Sequence, residues 1–285
     1  MMYADDLQLY RSCEVSEIPQ TVNKINQDLT KLASWCSNHG MQVNEPKTKV
    51  MVLGYTKILS KLNRLTIPKV VYGATELEYV QKFKNLGIMI EDTLSWESQV
   101  SNMCNSVFKS LYQLRRVAAD FPVQVRKQLA QSLILPIFDY APVALCDLKS
   151  DDIDRLQKTQ NAVVRFVLRV KMDEHITPYF KKLGWLKIAE KKKLQIAVMM
   201  FKILKFQRPH YLYNEFKWMA QVHDRETRNR NKIMQIPIHR TVLFNRSFIV
   251  QGIKFYNEHV DKFKLEQKTE TFRNDIKNML LDKYE

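Results

Sequence analysis

The sequence predicts an α+β protein in which a small antiparallel sheet with one helix is followed by a mostly α-helical region. Three observations lead to this prediction: alternating apolar and polar residues begin the chain, helix-spaced apolar residues follow them, and helical spacing dominates from Trp96 onward. A chain of 285 residues with 6 glycines and 9 prolines is long enough for two domains and lacks the composition of a disordered or fibrous protein.

The first ten residues predict a β-hairpin. Apolar and polar side chains alternate from Leu7 to Tyr10, and the small and acidic residues before them suit a tight turn. A turn of this kind places the carboxylates of Asp5 and Asp6 at the rim of a sheet. Two carboxylates at one tip suit Mg²⁺, which uses few protein ligands and takes the others from water and phosphate groups. The alternative interpretation is that the Asp pair only keeps the turn soluble.

A single amphipathic helix is predicted after the hairpin. Ser16 is its expected N-cap, Pro19 falls in its first turn, and Gly40 ends it. We expect the apolar stripe of this helix to pack on the sheet that carries Asp5 and Asp6. The stripe consists of residues at helical spacing: Ile18, Val22, Ile25, Leu29, Leu32 and Cys36.

Short strands are predicted between this helix and Trp96, where short apolar runs are bounded by turn residues. The expected strands are Met41–Asn44, Val50–Leu53, Lys69–Tyr72 and Leu77–Phe83, the last two joined at Gly73-Ala74, with residues 86–90 extending the sheet.

Helices are predicted over most of the remaining chain. A long helix begins at Trp96 with Ser95 as its cap, and Pro122 separates it from a second helix that ends near Leu135-Pro136. A third begins at Ser150, a further helical region runs from Thr177 to Phe206, and two short helices surround Phe248 and Phe272. The basic, poorly periodic stretch at 225–246 indicates a loop or an arm.

The third of these helices carries a basic strip. Arg155, Lys158, Arg165 and Arg169 share one face, whereas Leu156, Val163 and Val167 share another. The strip suits contact with nucleic-acid phosphates, and it equally suits a solvated helix face.

The formal charge is +15, and the excess lies in the middle of the chain. Residues 1–100 carry eleven basic and eleven acidic side chains, residues 101–250 carry twenty-seven and twelve, and residues 251–285 carry seven of each. This asymmetry favours a polyanionic partner, and nucleic acid before a membrane, because no segment combines basic residues with an evident lipid-inserting face. Solvated helix faces are also rich in lysine, so charge alone is not specific.

No apolar run reaches the length of a membrane span and no signal peptide begins the chain, so we expect an intracellular protein without a membrane partner. The four cysteines are far apart in sequence, and no paired short spacing predicts a zinc site.

Three stretches match one family in order. They are Tyr3–Tyr10, the predicted helix with the segment up to Met51, and Phe83–Ile88 with Trp96. The first resembles the catalytic hairpin of the reverse transcriptases of non-LTR (LINE-type) retrotransposons of the jockey and I-like kind. The second resembles the next palm element of these enzymes, and the third resembles the sheet that grips the primer strand. Later segments, Asn161-Ala162 among them, resemble the helices after the thumb.

The resemblance implies a partial palm at residues 1–94, thumb-like helices at 95–145 and a basic helical C-terminal region at 146–285. It implies RNA-directed DNA synthesis on an RNA template from a DNA primer, with two Mg²⁺ or Mn²⁺ ions about 3.5–4 Å apart. Asp5 would be the chief metal ligand, with Asp6 beside it. Lys47 or Lys49 would lie near the incoming triphosphate, and the alternative for both lysines, which we favour, is ordinary surface charge.

The sequence also departs from the family pattern. In the family, a further metal-binding Asp and the nucleotide-binding fingers precede the hairpin, and this sequence starts at the hairpin. We therefore expect a C-terminal fragment of such a polymerase, inactive alone, whose partner would be the missing upstream half. The alternatives are a non-catalytic nucleic-acid-binding module derived from such an element, and a product without a selected role.

Overall fold

A computed structural model describes residues 2–3, 5–118, 120–222 and 231–284. The chain divides into two compact units, Met1–Gln99 and Val100–Glu285. The first contains short strands and helices, and the second is helical apart from one isolated β-bridge, between Trp218 and Met234, among its described residues. The α+β class expected from the sequence is confirmed at this level.

The strands of the first unit form separate two-stranded pairs in the described residues. Three pairs are antiparallel, β1–β2, β4–β5 and β7–β8, and β3 pairs with β6 in parallel. The expected single antiparallel sheet is therefore wrong in its connectivity. The strands are β1 (Met2–Tyr3), β2 (Asp6–Leu7), β3 (Lys49–Val50), β4 (Val71–Tyr72), β5 (Thr75–Glu76), β6 (Glu78–Tyr79), β7 (Lys82–Asn85) and β8 (Ile88–Glu91).

Helix α1 (Ile18–Asn38) confirms the predicted amphipathic helix, and Pro19 lies in its first turn. Its start differs from the expectation, because Ser16 lies in a short 3-10 helix, Val15–Glu17, where Glu14 and Glu17 cap each other reciprocally. The helix ends two residues before Gly40, whose φ of +65° suits the left-handed turn that follows. A short helix, α2 (Thr56–Leu59), lies farther along this unit.

The apolar stripe of α1 packs beside the β4–β5 hairpin. Val22 and Leu29 form a buried cluster with Val70 and Leu77. No residue of β2 belongs to this cluster, and the side chains of β1 lie outside the described residues, so the structure shows the stripe packing beside the β4–β5 hairpin and not on β2. Strands of two residues offer almost no apolar face, and Leu7 is still 43% exposed.

Of two further strand predictions, one is wrong and the other is right in part. Met41–Asn44 forms no strand, because the chain turns into a 3-10 helix, Glu45–Lys47, with the Asn44 side chain accepting a hydrogen bond from the Lys47 amide. The prediction that residues 86–90 extend the sheet is right for residues 88–90, which belong to β8 and pair with β7, and wrong for the first two residues. Leu86 and Gly87 have φ values of +45° and +84° and form the two-residue turn that joins β7 to β8.

The second unit holds the long helices. Its helices are α3 (Glu97–Val117), which begins at the end of the first unit, α4 (Val123–Leu129), α5 (Leu135–Asp139), α6 (Ser150–Leu168), α7 (Thr177–Leu183), α8 (Ile188–Phe206), α9 (His210–Tyr213), α10 (Met219–Val222), α11 (Val242–Asn245), α12 (Phe248–Glu258) and α13 (Thr269–Leu281). The predicted start after Pro122 is confirmed, but helical structure continues past Pro136 to Asp139. A π-helical turn, Ala130–Ile134, precedes α5, and Pro136 then lies in the first turn of α5, where it needs no N–H bond.

Helix α8 forms the centre of the second unit, because α6, α12 and α13 all pack on it. Phe201 of α8 and Phe272 of α13 are both fully buried, and their rings stack with centroids 4.2 Å apart. The predicted region from Thr177 to Phe206 is two helices, since Gly184 adopts a left-handed conformation and ends α7. No helix in the described residues is long and apolar enough to cross a membrane.

Residues 225–230 of the expected basic arm lie outside the described residues. The described remainder of the arm is irregular except for α11 and the β-bridge at Met234.

Candidate functional site

The β1–β2 hairpin presents the predicted Asp pair to solvent. Tyr3 pairs with Asp6 and Met2 with Leu7, so Asp5 lies in the turn between the two strands. Both Asp side chains are exposed. Asp5 belongs to the turn and Asp6 is the first residue of β2.

Two side-chain contacts attach the segment after this hairpin to the rest of the first unit. Gln8 Nε2 donates to Asn85 Oδ1 at 2.9 Å, at the end of β7. Arg11 donates through Nη2 to Asp28 Oδ2 of α1 at 2.5 Å. The structure thereby brings together the two stretches Tyr3–Tyr10 and Phe83–Ile88, which are far apart in sequence.

The Asp pair by itself does not fit a two-metal centre. Two-metal sites hold ions about 3.5–4 Å apart between several oxygen ligands. Asp5 and Asp6 supply two carboxylates from adjacent positions, and the described residues contain no group of three or more His, Cys, Asp or Glu side chains placed to hold a metal. Metal-dependent catalysis at this hairpin therefore requires at least one further ligand, and no catalytic step is assigned to the pair alone.

The two candidate lysines lie in different settings. Lys47 is exposed at the end of its 3-10 helix. Lys49 lies on β3, and its ammonium pairs with the Glu78 carboxylate on β6 at 2.6 Å. This cross-strand ion pair gives Lys49 a structural partner, which agrees with the interpretation of Lys49 as surface charge.

The basic strip predicted for α6 is divided by the structure, and Arg169 lies just beyond the helix as its left-handed C-cap. Lys158, Arg165 and Arg169 line one cavity of about 370 Å³ in the second unit. Arg155 does not line it. The Arg155 guanidinium instead donates to Ser101 Oγ at 2.8 Å and lies 3.7 Å from the Asp152 carboxylate. On the opposite face, Leu156, Val163 and Val167 are buried as predicted.

Two more arginines complete the lining of this cavity, which we call the basic cavity. Arg115 comes from α3 and Arg126 from α4, so that three helices contribute its positive charges. The cavity is lined by five basic residues, Arg115, Arg126, Lys158, Arg165 and Arg169, and by five apolar ones, Ala118, Ala162, Phe166, Val170 and Met172. None of these lining residues is acidic.

Arg126 is the buried member of the set, with 4% of its surface exposed. Its Nε donates to the Val167 carbonyl at 3.0 Å. Burial lowers the pKa of the Arg126 guanidinium, and the nearby positive charge of Arg169 lowers it further. The environment of Arg126 therefore disfavours the positive charge on its guanidinium. An anion bound in the cavity would offset this unfavourable effect.

Arg165 has a structural role besides lining the cavity. Its guanidinium donates to the carbonyls of Lys171, Met172 and Glu174, at 3.2, 3.3 and 3.4 Å, and so holds the loop after α6. The carboxylate of Glu174 accepts from the Tyr179 hydroxyl at 2.5 Å. This hydrogen bond, with the Lys171 amide and the positive charges of Lys171 and Arg165, lowers the pKa of Glu174.

Sequence reasoning did not select Arg115 and Arg126. Arg115 lies beside Arg116 near the end of α3, and Arg126 falls at a position of α4 that turns out to be buried. The periodicity of α6 alone identifies charges on α6, and charges from α3 and α4 join them only through helix packing. An arginine at a buried position of an amphipathic helix is the one sequence signal that points to this site.

No protein-family model, no curated protein sequence and no solved structure matches this chain.

Proposed function

We propose that this chain carries the Asp hairpin and the helical region of a reverse transcriptase of the non-LTR retrotransposon type, and that it is inactive without further active-site residues. The observation that carries the proposal is the Gln8–Asn85 contact, which joins two of the three stretches that resemble that family. The exposed Asp pair at a hairpin turn also supports it, because such a pair is free to meet a metal ion and a triphosphate.

We expect the isolated chain to be inactive because it offers too few metal ligands. Adjacent carboxylates on one turn cannot by themselves surround two ions and a triphosphate. In the complete polymerase, a further carboxylate and the nucleotide-binding fingers would come from elsewhere, and RNA template, DNA primer and Mg²⁺ or Mn²⁺ would be the partners.

The test is primer extension on an RNA template with Mg²⁺ or Mn²⁺, first with this chain and then with this chain joined to the polypeptide encoded immediately upstream. We expect synthesis only from the joined protein. Asp5→Ala should lower it by at least about 10³-fold, because metal catalysis contributes several kcal/mol and each 1.36 kcal/mol is tenfold in rate. Asp275→Ala, which removes an exposed carboxylate in the middle of α13, is the matched control. The proposal fails if the joined protein makes no DNA, or if Asp5→Ala leaves its synthesis intact.

A second candidate function is nucleic-acid binding without catalysis. The observation in its favour is the basic cavity, within the segment that holds the excess positive charge. Binding through phosphates weakens with salt, with a slope of log affinity against log salt of about 0.7 to 0.9 per contact.

This second function is tested by the salt slope of single-stranded DNA or RNA binding to the whole chain. Lys158→Gln should reduce the slope by about 0.7. Arg155→Gln should leave it unchanged, since that guanidinium is already engaged by Ser101 and Asp152. Equal slopes for the two variants would contradict a phosphate contact at the cavity.

A further inference from the structure

The basic cavity concentrates five positive charges around a volume that one small ligand would fill. Its 370 Å³ lies near the lower end of the range of about 300–1,000 Å³ typical of ligand sites. Among the described residues that line it there is no acidic side chain. Positive charges this close disfavour one another, and the cavity focuses their potential, so that an anion inside it is favoured.

The burial of Arg126 indicates that the positive charge of the cavity belongs to an ordered binding site and not to a solvated surface. Only 4% of this residue is exposed, and its Nε is engaged by the Val167 carbonyl. A guanidinium has five N–H donors, and within the described residues the Nε–H of Arg126 is the one that makes a hydrogen bond. Its remaining donors belong to a group that lines the cavity, where an oxyanion could accept from two of them together.

The charge and the size of the cavity select the kind of phosphate. A phosphate monoester carries about −1.5 to −2 at pH 7, more than the single charge of a backbone diester. Five basic groups around one small volume therefore favour a monoester. A duplex backbone needs an extended surface, since its phosphates recur about every 3.4 Å along each strand, whereas a chain end can enter a cavity of this size.

The apolar part of the lining fits the rest of a terminal nucleotide. Phe166 and Val170 lie beside the basic groups, and an aromatic ring or aliphatic surface packs well against a sugar or a base. We propose that the basic cavity binds the terminal phosphate monoester of a single nucleic-acid strand. The choice of a nucleic-acid strand rests on the proposed function, whereas the choice of a phosphate rests on the cavity alone.

The experiment measures binding of the whole chain to one single-stranded oligonucleotide with a 5′-phosphate, a 3′-phosphate or hydroxyls at both ends. Inorganic pyrophosphate serves as a competitor that supplies phosphate without a strand. The test variant is Arg115→Gln with Lys158→Gln, two exposed lining residues outside the polar contacts described above. The matched control is Lys109→Gln with Arg116→Gln, which removes two exposed charges of α3 that do not line the cavity.

We expect wild type to bind one of the two phosphorylated strands about tenfold more tightly than the unphosphorylated one, as charge-assisted hydrogen bonds to a phosphate allow. The test variant should lose this preference, and the control should retain it although its overall affinity falls. Pyrophosphate should remove the preference while leaving the weaker salt-sensitive binding.

Three outcomes would overturn the proposal. Equal binding of all three strands by wild type would show that no terminal phosphate is recognised. Loss of the preference in the control variant would place recognition outside the cavity. Retention of the preference by the test variant would show that Arg115 and Lys158 of the cavity do not recognise the terminal phosphate. None of these outcomes depends on DNA synthesis, so failure here is distinguishable from failure of the primer-extension test.

Discussion

Gln8 Nε2 donates a 2.9 Å hydrogen bond to Asn85 Oδ1, across a separation of 77 residues in sequence. Gln8 directly follows β2, and Asn85 is the last residue of β7. An isolated two-stranded hairpin is at best marginally stable in water. With only two residues in each strand, the β1–β2 hairpin depends on contacts such as this one to hold Asp5 and Asp6 in place.

Replacing Gln8 with alanine should therefore loosen the hairpin without unfolding the first unit. A side-chain hydrogen bond contributes about 1 kcal/mol, so local opening should become roughly fivefold more frequent. The measurement is hydrogen exchange of the amides at residues 6–8. Gln20→Ala on the exposed face of α1 is the control, and it should leave these amides unchanged. Identical exchange in the two variants would show that other contacts hold the hairpin.

A second prediction concerns Arg165, whose guanidinium holds three carbonyls of the loop after α6. Arg165→Gln cannot span the same three acceptors, and the free energy of unfolding should fall by about 1–2 kcal/mol. Arg116→Gln removes the same charge from an exposed position and should change it by no more than about 0.5 kcal/mol. Urea unfolding of the two variants checks this prediction, and an equal stability would mean that the loop needs no support from Arg165.

The long helices could be predicted from the sequence, because apolar residues at helical spacing over several turns are typical of an amphipathic helix and of no other regular structure. α1 has the predicted stripe and ends close to Gly40, and α6 begins at the predicted Ser150. The exposure of Asp5 and Asp6 at a turn also followed from local turn chemistry.

The sequence did not predict which strands pair with each other and which helices pack together. β3 finds a parallel partner in β6, and two-residue strands carry too little pattern to predict their register. The same limit applies to the basic cavity. Lys158, Arg165 and Arg169 share a helix face by periodicity, but Arg115 and Arg126 join them because α3 and α4 pack close by, and Arg155 is drawn away to Ser101.

A third prediction is the pH dependence of the contribution of Glu91 to stability. Its buried carboxylate accepts from the Ser98 amide at 3.0 Å, at the start of α3, and from Lys82 Nζ at 3.2 Å. Burial by itself would raise the pKa of Glu91, but the hydrogen bonds from Ser98 and Lys82 outweigh it and hold the pKa below its ordinary value. The charged form is thus stabilised by folding.

Because the folded pKa is lowered, this contribution is fully present above the unfolded value of about 4.5 and is lost as the pH falls through the folded pKa. Glu91→Gln should therefore reduce the free energy of unfolding by about 1 kcal/mol at pH 7, and the deficit should shrink below pH 4.5. Unfolding of wild type and variant by urea at several pH values measures it. A deficit that grows on acidification would contradict the argument. Glu270→Gln, at an exposed site in the first turn of α13, provides the comparison.

A fourth prediction is that replacing glycine with alanine destabilises the protein at Gly184 and stabilises it at Gly252. Gly184 has a φ of +68°, and its amide and that of Trp185 close the end of α7 on the carbonyls of Lys181 and Phe180. No atom beyond its chain neighbours lies within 4 Å of an added Cβ there, so the cost of Gly184→Ala comes from the left-handed backbone alone, about 1 kcal/mol.

Gly252 lies inside α12 with an ordinary helical backbone, and its added Cβ would meet Met200 Sδ at 3.5 Å and the Phe248 ring at 3.8 Å, both normal contacts. Gly252→Ala should therefore stabilise the protein by about 0.5–1 kcal/mol, since alanine loses less backbone entropy in a helix. Denaturation of the two variants side by side decides the matter. If Gly184→Ala were neutral, the end of α7 would not require a left-handed residue; if Gly252→Ala were destabilising, α12 would be packed against α8 too tightly to admit one methyl group.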